Sequence, residues 1–384
     1  MRLAVYCDYS YRRDADGVYA ELPFALFLRG LAPHCERLVL TGRLDPSPGR
    51  YPYAMDGVEF APLPHYASGA HFSAVMRTIP LGIKRFWQLL DDVDVVWVLG
   101  PNPPQALAFA LLTRLRRRRL VLGVRQHLPQ LIRYRYPARR VLPWAATMLE
   151  CAFRLLGRIT PVVAVGPELA RGYRSSPAVH TAYVSLLSAR DILAREDDDR
   201  VYDGTDLRML SVGRLDPEKN PLLLADILAQ ALQAEPRWHM DVCGDGSMMD
   251  ALAERLKQLG IADRARLHGY VPIDDGLWDL YRTSHALLHV SFTEGVPQVL
   301  LEAFAARLPV VATAVGGVAG LAADCSLLVA PGDADAAAGA LTELATDARL
   351  RAELVDRAVT QAREHTITAE CARLAAFLTG RRDS

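Results

Sequence analysis

The sequence predicts an α/β chain made of two doubly wound parallel-sheet domains. Three features predict it. Short apolar runs alternate with longer helix-like stretches through the N-terminal half, a polar, acid-rich segment interrupts them at 190–206, and the alternation then restarts. The length of 384 residues suits two domains of ~150–200 residues, each able to bury its own core.

In chain order, the N-terminal strands are expected at Leu3–Cys7, Arg37–Leu40, Val58–Ala61, Val95–Leu99, Leu120–Val124 and Val162–Val165. Helices are expected at Val18–Leu31, Phe72–Leu90, Gln105–Leu115 and Leu142–Leu156. The domain boundaries read as 1–189, a linker at 190–206, and a second domain at 207–366. A C-terminal segment, 367–384, carries a helix over roughly Ala369–Thr379. Asp197, Asp198 and Asp199 fall in the linker and read as solvated charge.

A formal net charge of zero gives no global case for nucleic-acid binding. The six cysteines are scattered without CxxC spacing, so they read as reduced core thiols and not as a zinc site or disulfide framework. Met1–Ser10 lacks the apolar core of a signal peptide, and no clean run of ~18 apolar residues suggests a membrane span. A cytoplasmic protein is expected.

The chemistry concentrates in the second half. An apolar strand through Leu207–Val212 ends at Gly213. Arg214 follows, and Lys219 stands just before a helix opened by Asn220 and Pro221. Two cations beside a helix start suit a diphosphate. Of 44 basic residues only Lys84, Lys219 and Lys257 are lysine, so a lysine at this place marks a compact charge that the site requires. Next, WHMDVCGDGS reads as a strand, a Gly244-Asp245-Gly246 turn and a helix start. RLHGYVP is another strand running into a glycine-containing loop with Val271. Finally, an apolar run over Ala286–Val290 leads to a loop with Glu294, Gly295, Val296 and Pro297, then a helix with Glu302 one turn in. The unpaired N–H groups of such a helix start bind phosphate, while carboxylates beside them suit neutral sugar hydroxyls.

In this order and spacing, VGRLDPEKNP, CGDGS, HGYVP, FTEGVPQVLLEAFAARLPVVAT, a Gly-Gly pair and PGD resemble the C-terminal half of retaining glycosyltransferases of family four, over roughly residues 207–335. The resemblance implies the GT-B fold, two Rossmann-like domains facing a cleft. It makes Arg214 and Lys219 the donor diphosphate ligands, Glu294 the carboxylate on the donor sugar and Glu302 the ribose ligand. Gly295, Val296 and Pro297 match the loop whose backbone lies against sugar and phosphate, with Gly213, Gly244 and Val271 lining the donor site. Family members often place a histidine after the strand that ends at Val124; either Gln126 or His127 fills that place here. Asp16-Gly17 stands where the family often has paired glycines, and Gly17 is carried as a donor or acceptor contact. An acid the family often has after its Gly-Gly pair is missing, since Gly316-Gly317-Val318-Ala319 runs into Gly320.

The activity implied is transfer of a sugar from a nucleotide-diphosphate sugar to a saccharide or lipid-linked acceptor in bacterial glycolipid, polysaccharide or glycoconjugate synthesis. It would need no metal and no cofactor. A nucleotide-sugar epimerase of the same fold, or a non-catalytic sugar-nucleotide-binding partner, is the alternative. The first predicts donor turnover without acceptor, the second the loss of one of Arg214, Lys219, Glu294 and Glu302. The clusters Arg114–Arg119 and Arg133–Arg140 read either as solvated helix ends or as a peripheral contact with anionic membrane.

Overall fold

The structure is a computed structural model and describes residues 1–66, 72–135 and 141–380. The chain forms two compact units. The first takes described residues 1–66, 72–132, 141–186 and 367–380; the second takes 187–366, with 133–135.

The first unit holds β1 (Arg2–Arg13), β2 (Val18–Ala20), β3 (Arg37–Leu44), β4 (Tyr53–Ala54), β5 (Glu59–Leu63), β6 (Val95–Gly100), β7 (Arg119–Val124), β8 (Val162–Val165) and β9 (Val179–Ala182). Its parallel strands run β5-β3-β1-β6-β7-β8-β9, and β2 and β4 add a short antiparallel flap to the end of β1. The helices are α1 (Phe24–Leu31), α2 (Phe72–Leu89), α3 (Gln105–Leu115), α4 (Leu128–Arg135), α5 (Val141–Gly157) and α6 (Pro167–Arg171). Central strands such as β6 (VVWVLG) and β8 (VVAV) are almost wholly buried, because helices cover both faces of a parallel sheet.

The second unit holds a six-stranded sheet, β12-β11-β10-β13-β14-β15. Its strands are β10 (Leu207–Val212), β11 (Trp238–Cys243), β12 (Ala265–Gly269), β13 (Ala286–His289), β14 (Val310–Thr313) and β15 (Leu327–Val329). All pair in parallel. Seven helices accompany them among the described residues: α7 (Leu222–Ala234), α8 (Met249–Gln258), α9 (Trp278–Thr283), α10 (Gln298–Ala305), α11 (Gly317–Ala322), α12 (Ala334–Thr346) and α13 (Ala348–Glu364). Buried Trp238 and the apolar faces of α7 and α12 fill the core on one side of this sheet. The last helix, α14 (Ile367–Thr379), belongs to the first unit and packs Cys371, Leu374 and Leu378 against the layer that contains α1.

Four sequence expectations need correction. Val18–Ala20 is strand, not helix. Its β-branched and aromatic residues pair with Tyr11–Arg13 at the end of β1, and the helix starts only after Pro23, whose fixed φ opens it. The segment 190–206 is not a free linker: the Leu193 N–H donates to the Ala305 carbonyl at 2.8 Å and Arg200 donates to the Ala306 carbonyl at 2.6 Å. Asp198 within it is not merely solvated, since it accepts from Arg200 at 2.7 Å and lies 3.7 Å from Arg307. Of the cysteines, Cys151 is exposed and not a core thiol.

Candidate functional site

The C-terminal ends of β10, β11 and β12 are laced together by backbone hydrogen bonds. Gly213 N–H donates to Cys243 O at 3.0 Å, Gly244 N–H to Gly269 O at 2.7 Å, and Leu215 N–H to Asp245 O at 2.9 Å. Gly213 and Gly244 thus have their amides committed to protein. What glycine supplies at 244 is room: a Cβ there would lie 1.8 Å from the Gly213 carbonyl oxygen. The loop after β12 leaves Val271 half-buried beside exposed Tyr270.

Beyond β10 the chain makes a single turn, Pro217–Lys219, before α7. Phe292 N–H donates to the Glu218 carbonyl at 2.9 Å, so this turn is tied to the loop that follows β13. The tie brings Lys219 to Glu294, whose Oε1 accepts from the Lys219 ammonium at 2.5 Å. The same oxygen accepts from the Ser291 hydroxyl at 2.6 Å and stands 3.0 Å from His289 Nε2. Ser291 is fixed in turn, because the Thr313 hydroxyl donates to its carbonyl at 2.7 Å. Burial raises the cost of ionising Glu294, but Lys219 and His289 outweigh it and hold the carboxyl well below the usual range.

Arg214 is oriented by two acids, Asp216 and Glu218, the latter at 2.8 Å. Glu218 is buried, and its second oxygen has no hydrogen-bond partner among the described residues. Arg214 and Lys219 therefore face three carboxylates from their own unit, so a diphosphate cannot be held there by excess positive charge alone. Both cations keep donors to spare, since a lysine has three and an arginine five. Further donors come from the loop: among the described residues, no acceptor takes the N–H of Gly295 or Val296. Pro297 precedes α10, whose first N–H groups have no intrahelical partner.

Glu302 lies on α10, half-buried, and accepts from the Tyr281 hydroxyl at 2.7 Å. Burial raises its carboxyl pKa, and the Tyr281 hydrogen bond offsets this only in part. The two glutamates share one strand–loop–helix unit yet sit in opposite electrostatic settings. Behind the loop, a Cβ at Gly316 would come within 1.9 Å of the Glu294 carbonyl oxygen, and one at Gly317 within 2.0 Å of that of Gly295. The Gly-Gly pair lets the backbone of α11's start pack directly on the carboxylate loop.

In the first unit, Gly17 closes a turn in which the Asp14 carboxylate accepts from its N–H at 3.1 Å. His127 follows β7 and is held between Glu150, at 3.5 Å, and Glu168, at 4.0 Å, while Gln126 is exposed. Burial pushes Glu150 up, yet its contacts with His127 and Arg154 leave it net lowered.

Sequence reasoning named Arg214, Lys219, Glu294 and Glu302 and missed His289, Ser291, Glu218 and Tyr281. The first two were visible as a signal: polar residues ending the apolar run ALLHVS sit at the C-terminal edge of a parallel sheet, where ligands gather. Tyr281 was not visible, since only the fold brings α9 to α10.

Two Rossmann-like units with these loops define a GT-B fold, and solved structures agree over nearly the whole chain. Sucrose-phosphate synthase from Thermosynechococcus elongatus superposes with a TM-score of 0.74 at 16% identity, covering 99% of this chain and 98% of that one. HepE from Anabaena in complex with UDP also superposes with a TM-score of 0.74 at 16% identity, covering 99% and 100%. Residues 195–363 match the family described as Glycosyl transferases group 1. The D-inositol 3-phosphate glycosyltransferase of Kribbella flavida is 36% identical over 162 residues, or 39% of this chain and 38% of that protein. The chain spans between 15% and 41% of the length of the curated relatives it matches.

Two outcomes follow from this geometry. Gly316→Ala must push the Glu294 backbone away and strain a residue at φ +51°, so it should cost about 1–3 kcal/mol by denaturant titration. Because the Glu294 carboxyl is depressed, its contribution to stability is intact above its ordinary pKa of 4.5 and is lost as pH falls below it. Wild type should therefore lose stability more steeply than Glu294→Gln in acid melting curves; parallel curves would show that the carboxylate is not held by its partners.

Proposed function

We propose that the chain transfers a sugar from a nucleoside-diphosphate sugar to an acceptor hydroxyl with retention of anomeric configuration. The observation that carries this reading is the fixed, ionised Glu294 beside Lys219, Arg214 and the uncommitted N–H groups of Gly295 and Val296. Solved relatives of the same fold include complexes with UDP and with UDP-glucose, and several curated relatives are named as glycosyltransferases.

In this reading Arg214 and Lys219 meet the charge that develops on the diphosphate as the glycosidic bond breaks. The start of α10 and the Gly295–Val296 amides add fixed dipoles without needing a cofactor. The attacking acceptor hydroxyl approaches from the face the diphosphate leaves. Glu294 accepts from sugar hydroxyls, and its ionisation suits it to a centre gaining positive character. Glu302 accepts from the ribose diol, where charge changes little. The acceptor is a saccharide or a lipid-linked saccharide of polysaccharide or glycoconjugate synthesis. A lipid-linked acceptor brings peripheral contact with an anionic membrane into the same reading.

The two glutamates should separate in kinetics. Glu294→Gln should lower kcat on the order of 100-fold while leaving the affinity for a sugar-free nucleoside diphosphate nearly unchanged. Glu302→Gln should raise the donor KM and weaken nucleoside diphosphate binding by about 10- to 100-fold. It should not destabilise the protein at neutral pH, because an acid whose pKa is raised on folding costs stability once ionised. Calorimetric titration beside steady-state rates reads both; a reversed pattern would exchange the two roles, and no change in either would remove this loop from the site.

A further inference from the structure

The outer side of α5 is apolar where a helix on a parallel sheet is expected to be polar. Val141, Trp144 and Met148 are 77%, 75% and 74% exposed, and Cys151 and Leu155 continue the row. At 3.6 residues per turn these five positions fall within an arc of about 80°. The opposite side of the helix buries Ala146, Phe153 and Leu156 against the first unit, so the exposed row is not that unit's core.

Topology widens the row into a surface. β6, β7 and β8 are consecutive neighbours in the sheet, and right-handed crossovers place α3 and α5 on the same face. Arg114 at the end of α3 donates to the Ile159 carbonyl at 3.2 Å, which puts the two helix ends side by side. Leu111 and Leu115 on α3 and Ile159 after α5 are exposed there too. An apolar surface of this extent, rimmed by polar groups, marks an interaction site.

The exposed charges on the two helices themselves are of one sign. α3 contains no acid, and the single acid of α5, Glu150, is buried, accepting from Leu128 N–H and from Arg154. Arg114, Arg117 and Arg158 are exposed at the rim. The rest of the first arginine cluster is spent internally: Arg116 pairs with Asp91, Arg118 donates to Leu90 and Asp91 carbonyls, and Arg119 to the Phe377 carbonyl. In the second cluster, Arg133 is exposed; Tyr136, Arg139, Arg140 and the side chain of Arg135 lie outside the described residues.

We infer that the outer face of α5, with the adjoining end of α3, docks on an anionic lipid bilayer. Trp144 and its apolar neighbours enter the interfacial layer, where an amphipathic ring is favoured, while the rim arginines meet lipid phosphates. A second copy of the chain fits the same face poorly, because a twofold contact through these helices would set arginine against arginine, the one acid they carry being buried. Among the described residues no helix is long and apolar enough to cross a membrane, so the contact lies in the plane of the surface. The inference deepens the peripheral-contact part of the proposed function and does not require that sugar transfer be correct.

The test is flotation of the full chain with vesicles of phosphatidylcholine alone or with added phosphatidylglycerol, run beside calorimetric nucleoside diphosphate binding. Wild type should float only with the anionic vesicles and less at high salt, and Arg158→Ser should lower partitioning roughly fivefold. Trp144→Glu combined with Met148→Glu should abolish flotation, with unchanged circular dichroism as the check on folding. Brominated lipid should quench wild-type tryptophan fluorescence, and Trp144→Phe should remove that quenching while still floating. Equal binding to neutral vesicles, flotation that survives the double variant, or no flotation at all would overturn the inference. A dimer in sedimentation that Trp144→Glu dissolves would assign the face to a second copy instead. Intact flotation in a protein that binds no nucleoside diphosphate would leave the surface standing and sink the sugar-transfer reading.

Discussion

The ion pair between Lys219 and Glu294 is the contact on which the candidate site depends. It joins the turn after β10 to the loop after β13, two segments 75 positions apart in sequence. Removing either partner would leave the other charge poorly compensated, which is the costly way to break such a pair. The pair also explains how an acid can sit beside a proposed diphosphate pocket. Lysine neutralises the carboxylate while serine and histidine orient it, so its charge is local and directed at hydroxyl groups, not spread over the phosphates.

Backbone packing sets the precision of that arrangement. Three loops at the ends of β10, β11 and β12 continue each other's hydrogen bonding past the sheet, and Gly244 and Gly316 admit carbonyl groups where any side chain would collide. The glycines of the site act less as ligands than as clearances. Among the described residues the N–H groups of Gly295 and Val296 stay uncommitted, because the loop is held from behind by the Gly316-Gly317 backbone and from the side by the Phe292–Glu218 bond. A loop fixed in this way keeps its donors aimed before any ligand arrives, which lowers the reorganisation required at reaction.

Much of this was legible in the chain. The helix at Gln105–Leu115 and the strand at Val162–Val165 have the bounds the apolar patterning predicts, because both are continuous apolar runs flanked by turn residues. β1 runs on to Arg13, past the polar Asp8–Ser10, because its far end is stabilised by the β2 flap and by a shifted register with β3. Local patterning does not encode such distant pairing. The same limit applies to the site. Arg214, Lys219, Glu294 and Glu302 stand in motifs with readable spacing, whereas Tyr281 and Glu218 gain meaning only from the neighbours that folding supplies. The exposed row on α5 shows the converse: periodicity marks an apolar stripe, and only the structure shows that this one faces outward.

In the proposed function Lys219, oriented by Glu294, belongs to a nucleoside diphosphate site in the second unit. Calorimetric titration of wild type and Lys219→Ala with UDP, GDP and ADP tests it most directly. At least one of these should bind wild type, and its affinity should fall by roughly tenfold or more in the variant, as loss of a charge-assisted contact requires. Equal affinity in the two proteins, or no binding of any nucleoside diphosphate to wild type, would contradict it.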